Sequence, residues 1–348
     1  MKSGTCFNCI NKMRFIIILC LLQVLTACKK TLITPVLPLL SFYQPVDFPE
    51  PVYPLAQNPV TREKFELGRL LFYSPVLSLD NTISCATCHA QTHLFADHNV
   101  AVSSGVGGLT GTRNAPPVFN MAWQPHFMWD GGVNHLEMFS IAPITNPVEM
   151  NETMLNVINK LNASDYWKKQ FKAAFGTDQI TDQQLFRALT QYMLMIVSDG
   201  SHYDKVKRGQ ASFTADQQAG YNLFLQKCAS CHKEPLFTDY SFRNNGLDEI
   251  SADDGRYLIT QLESDKGRFK VPTLRNVLLT YPYMHDGRFF TIDQVLEHYS
   301  SGVKSHTNLD PSLQNGIPLT ADEKKYLKRF LETLNDYELM SKMELSEP

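Results

Sequence analysis

The 348-residue sequence lacks both an excess of basic residues and an apolar run long enough to span a bilayer. Its formal net charge is −3 at pH 7, and this mild acidity gives no support to nucleic-acid binding. The apolar run at residues 15–25 follows Lys2, Lys12 and Arg14 and is shorter than the roughly 20 residues that a transmembrane helix needs. A basic start with a short apolar run predicts a signal peptide rather than a membrane span.

The apolar run is followed by LTAC, whose cysteine is Cys28. This ending resembles the bacterial lipobox, where cleavage leaves the cysteine as the lipid-modified first residue. We therefore predict a signal peptide over residues 1–27, translated from Met1 or Met13, and lipidation of Cys28; an ordinary signal-peptide cysteine is the alternative. Lys29 stands where Asp often marks inner-membrane retention, so a periplasmic protein anchored by lipid to the outer membrane is favoured.

The sequence is also short of thiols that could form disulfide bonds. Removal of residues 1–27 takes away Cys6, Cys9 and Cys20, and of the five cysteines left, four form two CxxC pairs and the fifth is Cys28. No cysteine remains for a disulfide, although the predicted compartment would permit one. The two pairs must therefore serve another purpose.

Each CxxC pair is followed at once by a histidine, so residues 85–89 read CATCH and residues 228–232 read CASCH. This spacing is typical of c-type haem attachment, in which two thiols bond to the porphyrin vinyl groups and the histidine binds the iron. A zinc site built from both pairs, or a thioredoxin-like redox motif, leaves the histidines unexplained. We predict two covalently bound haem c groups, held by Cys85, Cys88 and His89 and by Cys228, Cys231 and His232.

Strand signals are scarce, and the regular segments are helical. Apolar residues at helical spacing, several of them after a threonine cap, predict helices at residues 61–72, 154–161, 165–175, 181–197, 214–227 and 320–334. The Gly- and Pro-rich connections between them, such as SSGVGGLTGTRNAPP, are long unless they wrap a ligand. We therefore predict a mostly α fold in which two haems supply part of the core.

The distribution of prolines suggests how the chain is divided. Prolines recur between residues 31 and 59 and oppose helix formation, which predicts an extended, lipid-anchored tether over residues 28–58. About 280 residues follow, enough for two domains of ordinary size. With one CxxCH motif in each half, we predict one haem domain at residues 59–205 and another at residues 206–340.

A series of longer motifs surrounds the attachment sites. They read LGRLLFYSPVLSLDNTISCATCH, GTRNAPPVFN, MWDGG, NPVEM, CASCHKEPLFTDYSFRNNGL, FKVPTLRNV and YPYMHDGRF, in this order. Together they resemble the bacterial dihaem cytochrome c peroxidase family, including the branch typified by the tryptophan-tryptophylquinone maturation enzyme. The resemblance covers about residues 59–335 and implies two cytochrome-c-like domains packed against each other. The N-terminal domain would hold the peroxidatic haem and the C-terminal domain the electron-transfer haem.

For the first haem, the resemblance places a catalytic carboxylate at Glu149 in NPVEM, where it would move a proton between the two peroxide oxygens. Many relatives block this iron with a histidine at the position of Val106, and valine cannot bind iron. We therefore predict an iron that is open without prior reduction, unless His93 or His98 reaches it. Phe139 stands where relatives usually have glutamine, which predicts a drier distal pocket.

For the second haem, the sixth iron ligand is either Tyr299 or Met284. Methionine is the usual partner of histidine in c-type cytochromes. The ligand position of typical relatives falls on Tyr299, however, and the quinone-forming branch uses tyrosine there. A phenolate would favour ferric iron, whereas a thioether would favour ferrous iron. We favour Tyr299 and keep Met284 as the alternative.

The resemblance assigns two further features that connect the domains. Trp129 in MWDGG matches a tryptophan between the two haems, where transient oxidation would split one long electron transfer into two shorter ones. Asn114, with the backbone carbonyls of Thr280 and Pro282, matches an interdomain calcium site, and oxygen ligands suit that ion.

Taken together, the resemblance implies an enzyme that reduces hydrogen peroxide to water. Electrons from a small donor, either a c-type cytochrome or a cupredoxin, would enter at the C-terminal haem and pass Trp129. One alternative is a related dihaem oxidase that modifies a protein or organic substrate through a high-valent dihaem state, which Tyr299 and Val106 favour. The other is a non-enzymatic dihaem electron carrier, which Glu149 disfavours. A homodimer is compatible with the resemblance, since relatives are often dimers.

Overall fold

Regular secondary structure in the protein is almost entirely helical. The computed structural model describes residues 40–348, so the predicted signal peptide, Cys28 and the first part of the tether lie outside the described residues. The α-helices are α1 (Arg62–Tyr73), α2 (Cys85–Cys88), α3 (Ile141–Thr145), α4 (Met154–Ala163), α5 (Asp165–Phe175), α6 (Asp182–Leu194), α7 (His202–Lys207), α8 (Ala215–Lys227), α9 (Tyr257–Thr260), α10 (Ile292–Glu297) and α11 (Ala321–Glu332). None of the helices within residues 40–348 is long and apolar enough to cross a bilayer.

The sheet content of the described residues is one pair of two-residue strands. Strand β1 (Phe242–Arg243) pairs antiparallel with β2 (Phe269–Lys270), and Phe242 lies opposite Lys270. The prediction of a mostly α fold is therefore confirmed for this part of the chain. Strand β2 also places Lys270 where its amide donates to the carbonyl of Trp129, at 2.8 Å.

The predicted threonine caps are present at the helix starts. The hydroxyls of Thr61, Thr214 and Thr320 each accept a hydrogen bond from a backbone amide three residues later, which satisfies one of the free donors of the first turn. The end of α6 differs from the prediction. This helix stops at Leu194 rather than at residue 197, because the carbonyl of Ile196 accepts from the amide of Asn120 at 2.9 Å and the chain turns to make that bond.

Two helix pairs pack closely because glycine lies at each crossing. A Cβ atom added to Gly68 of α1 would lie 2.0 Å from the carbonyl oxygen of Ala188 in α6. One added to Gly220 of α8 would lie 1.9 Å from the carbonyl oxygen of Tyr326 in α11. Since neither backbone oxygen has a flexible side chain's freedom to move, both positions require glycine.

Buried apolar side chains form two clusters. The larger cluster runs along the chain from Phe48 to Val197, with Leu236, Leu339 and Leu345 added, and the smaller one runs from Tyr203 to Leu334. The gap between them lies close to the predicted boundary at residues 205 and 206. The division into two haem domains nevertheless stays a prediction, because residues 40–348 form one compact unit.

Candidate functional site

CATCH forms a single turn of helix, α2, which fixes the direction of His89. The amide of His89 donates to the carbonyl of Cys85 at 3.0 Å, and its ring nitrogen Nδ1 lies 3.0 Å from the carbonyl oxygen of Phe95. Because a carbonyl only accepts, Nδ1 carries the proton and donates. This leaves Nε2 as the nitrogen that can bind iron, and the backbone bond orients the ring.

CASCH repeats this arrangement at the end of α8. The amide of His232 donates to the carbonyl of Cys228 at 3.0 Å, and its Nδ1 lies 3.1 Å from the carbonyl oxygen of Phe237. Phe237, like Phe95, is fully buried and has a positive φ, +55° and +57° respectively. The two motifs therefore share local structure as well as spacing.

Both histidines suit the axial position of a haem. Burial lowers the pKa of His89 and of His232, so each is neutral at physiological pH, as a metal-binding imidazole must be. Each histidine residue is nevertheless only half-buried. A residue that is deep enough to lose hydration, yet not fully covered by protein atoms, leaves room for a bound group.

The four cysteines of the two motifs are free and half-buried, which leaves their thiols accessible for attachment to a bound group. Cys85 packs against the larger apolar cluster, whereas Cys228 packs against the smaller one. The two pairs therefore lie in different parts of the core and do not converge on a shared zinc ion. Placement and burial both fit one haem per motif.

Glu149 lies close to the first attachment site. Burial raises the pKa of the Cys88 thiol, and the charges of Asp97 and Glu149 raise it further. Burial also raises the pKa of Glu149 itself, although the side chain remains exposed. The side-chain Nδ2 of Asn146 donates to Glu149 Oε1 at 2.6 Å and orients the carboxylate. A carboxylate that is partly desolvated and still accessible can exchange protons with a molecule that approaches it.

Val106 lies against the backbone of Glu149. Its amide donates to the carbonyl of Glu149 at 2.8 Å, and its side chain is buried. The preceding residue, Gly105, is held so closely that an added Cβ would lie 2.3 Å from the same carbonyl oxygen. The structure therefore brings the predicted blocking position and the predicted catalytic residue together.

The other residues expected near the first iron have clear partners elsewhere. The rings of His93 and His98 stack on each other with centroids 4.3 Å apart, and His98 also contacts Tyr281. Phe139 is buried in the larger cluster, with its ring 5.6 Å from that of Phe127. The effect of Phe139 on a distal pocket stays a prediction.

Both candidates for the sixth ligand of the second haem iron lie beside the side-chain amide of Asn245. Asn245 Nδ2 donates to the sulfur of Met284 at 3.4 Å. Burial raises the pKa of Tyr299, a hydrogen bond from Asn245 opposes that rise, and the nearby Cys231 and Cys228 add to it. Tyr299 lies in a π-helical turn, His298–Gly302, a type of turn that is frequent at functional sites. The choice between Tyr299 and Met284 stays open.

Trp129 is fixed by bonds to two separate parts of the chain. Its indole Nε1 donates to the carbonyl of Asn114 at 2.8 Å, and its own carbonyl accepts from the amide of Lys270 at 2.8 Å. Its ring lines a cavity of about 60 Å³ together with Tyr240 and Lys270. That Trp129 lies between the two haems stays a prediction.

The residues predicted to bind calcium lie on two loops that touch. Asn114 is buried and donates through Nδ2 to the carbonyl of Ala101 at 3.1 Å, and its amide donates to the carbonyl of His285 at 2.7 Å. Tyr281, which lies between Thr280 and Pro282, accepts at its carbonyl from the amide of Asn99 at 3.4 Å. These contacts bring the loops together, and calcium binding stays a prediction.

Sequence reasoning missed two residues and a cleft. Asn245 lies within the motif CASCHKEPLFTDYSFRNNGL and Lys270 within FKVPTLRNV. The sequence of these motifs does not indicate that Asn245 contacts Met284 or that Lys270 contacts Gln124. The cleft, of about 620 Å³, is lined by Asn245, Arg113 and His285 among others. Arg113 bridges Asp130 at 2.5 Å and Asp253 at 2.6 Å across it.

Comparison with known proteins shows which family the chain is similar to. A model of the di-haem cytochrome c peroxidase family matches residues 62–212. The chain is 35% identical over 299 residues to the methylamine utilization protein MauG of Methylorubrum extorquens, which covers 84% of this chain and 83% of that protein. It is 36% identical over 256 residues to the cytochrome c551 peroxidase of Nitrosomonas europaea, which covers 71% and 76%. The crystal structure of a MauG-like protein associated with microbial copper homeostasis is similar with a TM-score of 0.82 and 30% identity, covering 89% of this chain and 99% of that one.

Proposed function

We propose, from the premise that this chain belongs to the di-haem cytochrome c peroxidase family, that it reduces hydrogen peroxide to water at the CATCH haem. Relatives named as cytochrome c peroxidases align over most of the chain, and the chain is a peroxidase of this family. The observation that carries the finer proposal is the position of Glu149, whose carboxylate accepts from Asn146 and whose charge acts on the Cys88 thiol.

The reaction consumes one hydrogen peroxide, two protons and two electrons and yields two waters. Haem, when bound at His89, supplies the iron that exchanges electrons with the peroxide. Glu149 accepts the proton of the oxygen that approaches the iron and returns it to the oxygen that leaves as water. Asn146 holds Oε1 in place through its 2.6 Å hydrogen bond. Because acceptance needs the ionised carboxylate and burial raises its pKa, turnover falls as the pH drops through that raised pKa.

The electrons come from a small donor, a c-type cytochrome or a cupredoxin, and enter at CASCH. Trp129 then relays them toward CATCH. The bond from its indole Nε1 to the carbonyl of Asn114 limits rotation of the indole, and the bond from the amide of Lys270 to its carbonyl fixes its backbone, as a relay at fixed distance requires. We place the enzyme in the periplasm, held to the membrane by lipid on Cys28.

Substitution of Glu149 tests the peroxidase proposal. We expect E149Q to lower the peroxide turnover by roughly 10²–10⁴-fold, the usual contribution of general acid–base catalysis, while the absorption spectrum keeps both haems. Glu50→Gln, at an exposed site, is the matched control. Steady-state turnover with a reduced donor and stopped-flow mixing with peroxide measure the effect. Wild-type rates in E149Q would show that Glu149 has no catalytic role.

A second function is favoured by the position of Tyr299. This phenol lies near Cys228 and Cys231, where a tyrosine ligand would support oxidative modification of a protein or organic substrate rather than simple peroxide removal. Mass spectrometry of candidate substrates after incubation with the enzyme and peroxide distinguishes the two functions. Products in the absence of donor turnover support the second, and fast donor oxidation without products supports the first.

A further inference from the structure

The small cavity beside Trp129 lies between segments that are far apart in sequence. Its lining includes Met128 and Trp129 from one segment and Tyr240, Lys270 and Val271 from another. Met128 packs against the larger cluster, and strand β2 follows the CASCH segment in the chain. A charged side chain in this cavity can therefore act on both segments.

Lys270 is that charged side chain, and three hydrogen bonds tie it to the loop that carries Trp129. Its backbone amide donates to the carbonyl of Trp129 at 2.8 Å. Its ammonium donates to Gln124 Oε1 at 2.8 Å and to the carbonyl of His126 at 2.9 Å. All three acceptors are neutral, so they orient the ammonium without balancing its charge.

The charge of Lys270 has no partner of opposite sign among residues 40–348. No carboxylate there lies within ion-pair distance of it, and the nearest acid that acts on it, Asp130, is bonded to Arg113 at 2.5 Å. Burial lowers the pKa of Lys270 to about 7, because a buried positive charge without a balancing anion is unfavourable in free energy. Buried cations in folded proteins are normally paired with an anion, and here the chain does not provide one.

The exposure of Lys270 indicates where an anion would lie. Like His89, His232 and Tyr299, it is deep enough for burial to shift its pKa and yet keeps accessible surface. It is also one of the residues that line the small cavity. Two residues further on, the backbone of Pro272 contacts the ring of His232, so the CASCH haem would lie close to this segment.

We infer that the ammonium of Lys270 binds a carboxylate of one of the two haems and links it to the loop that carries Trp129. Each c-type haem has two propionate groups. A haem attached at either CxxCH motif would therefore bring this anion into the interior of the protein. The pairing would balance the buried charge. The three hydrogen bonds of Lys270 would then hold the loop of Trp129 at a fixed distance from the haem edge. This inference requires that haem is bound and does not depend on which reaction the enzyme performs.

Reduction potentials test the inference without peroxide. We expect Lys270→Met to shift the midpoint potential of one haem downward, because loss of a nearby positive charge favours ferric iron, and to shift the propionate-bending band in the resonance Raman spectrum. Lys270→Arg keeps the charge and should keep both values close to those of the wild type. Lys266→Met, at a more exposed position on the same segment, is the matched control and should change neither.

Two results would overturn the inference. One is a Lys270→Met protein whose potentials and propionate band match the wild type. The other is a Lys270→Arg protein that shifts as far as Lys270→Met, which would indicate a packing role. If Lys270→Met does not accumulate, Lys270→Gln, which keeps an amide donor for the carbonyl of His126, carries the same expectation. Because no step uses peroxide, a failed pairing is distinguishable from a failed peroxidase proposal, which E149Q tests separately.

Discussion

At the scale of single residues, Val106 sets how freely peroxide reaches the first iron in our proposal. Its amide is bonded to the carbonyl of Glu149 at 2.8 Å, so a side chain at this position emerges next to the catalytic carboxylate. Valine offers no atom that can bind iron. The oxidised enzyme should therefore react with peroxide without prior reduction.

Replacing Val106 with histidine should block that reaction. The imidazole of V106H would start from the loop beside Glu149 and could bind the iron, converting a high-spin EPR signal of the first haem to a low-spin one. Stopped-flow mixing of the oxidised variant with peroxide should then show no fast phase until the protein is reduced. V106L, which keeps an apolar side chain, is the control. A V106H protein that reacts as fast as the wild type would contradict the prediction.

The ligand of the second haem can be tested with a pair of substitutions. If Tyr299 binds the iron, Y299F removes the phenolate and should change the low-spin EPR signal of that haem and raise its midpoint potential, because a phenolate favours ferric iron. M284L should leave both unchanged, since Met284 would then only accept the hydrogen bond of Asn245. The opposite pattern would identify Met284 as the ligand.

Residue-level prediction from the sequence is most direct where the chemistry is local. Cys85, Cys88 and His89 are adjacent in the chain, so their spacing alone predicts their joint use. Asn245 and Lys270 act on residues 39 to 146 positions away, and no spacing or periodicity reports such contacts. Their functional role depends on how the loops are folded together, which one sequence does not reveal.

At the scale of secondary structure, caps made the helices predictable and long-range bonds set their ends. Helix α8 begins after Thr214 as expected, because the cap and Gln217 bond to each other's backbone amides. The end of α6 and the π-helical turn around Tyr299 were not predicted. Both depend on partners from distant segments, such as Asn120 for the end of α6.

The contact between α1 and α6 gives a prediction about stability. On helix propensity alone, Gly68→Ala should stabilise the protein by about 1 kcal/mol. The new Cβ, however, would lie 2.0 Å from the carbonyl oxygen of Ala188, and forced overpacking costs roughly 1–3 kcal/mol. We expect a net loss in the free energy of unfolding by urea. Gly111→Ala, where the nearest atom lies at 3.7 Å, is the control, and a G68A protein at least as stable as the wild type would refute the clash.

At the scale of the whole molecule, one buried ion pair joins the two apolar clusters. Arg275 bonds Asp204 through both terminal nitrogens, at 2.9 and 2.8 Å, and both side chains are fully buried. The guanidinium also lies 4.7 Å from the ring of Phe48, in the larger cluster, and 5.7 Å from that of Phe237, in the smaller one. The fold thus depends on a charge that is balanced by a single carboxylate.

Removal of Arg275 should therefore be severe, and its effect should depend on pH. R275M leaves the carboxylate of Asp204 buried without a partner, and breaking a buried pair costs about 3–5 kcal/mol in the free energy of unfolding. Burial would raise the pKa of Asp204, but the hydrogen bonds and charge of Arg275 hold it below its usual value of 3.8. The pair's contribution is therefore complete above that value and is lost as the pH falls through the lower folded pKa. We expect urea unfolding to show the full deficit of R275M at neutral pH and a smaller deficit in acid, where protonation neutralises the orphaned carboxylate. R329M, which removes an exposed pair with Glu332, is the control and should stay within about 0.5 kcal/mol of the wild type. A deficit of R275M that is small or independent of pH would show that the Arg275–Asp204 pair does not hold the two clusters together.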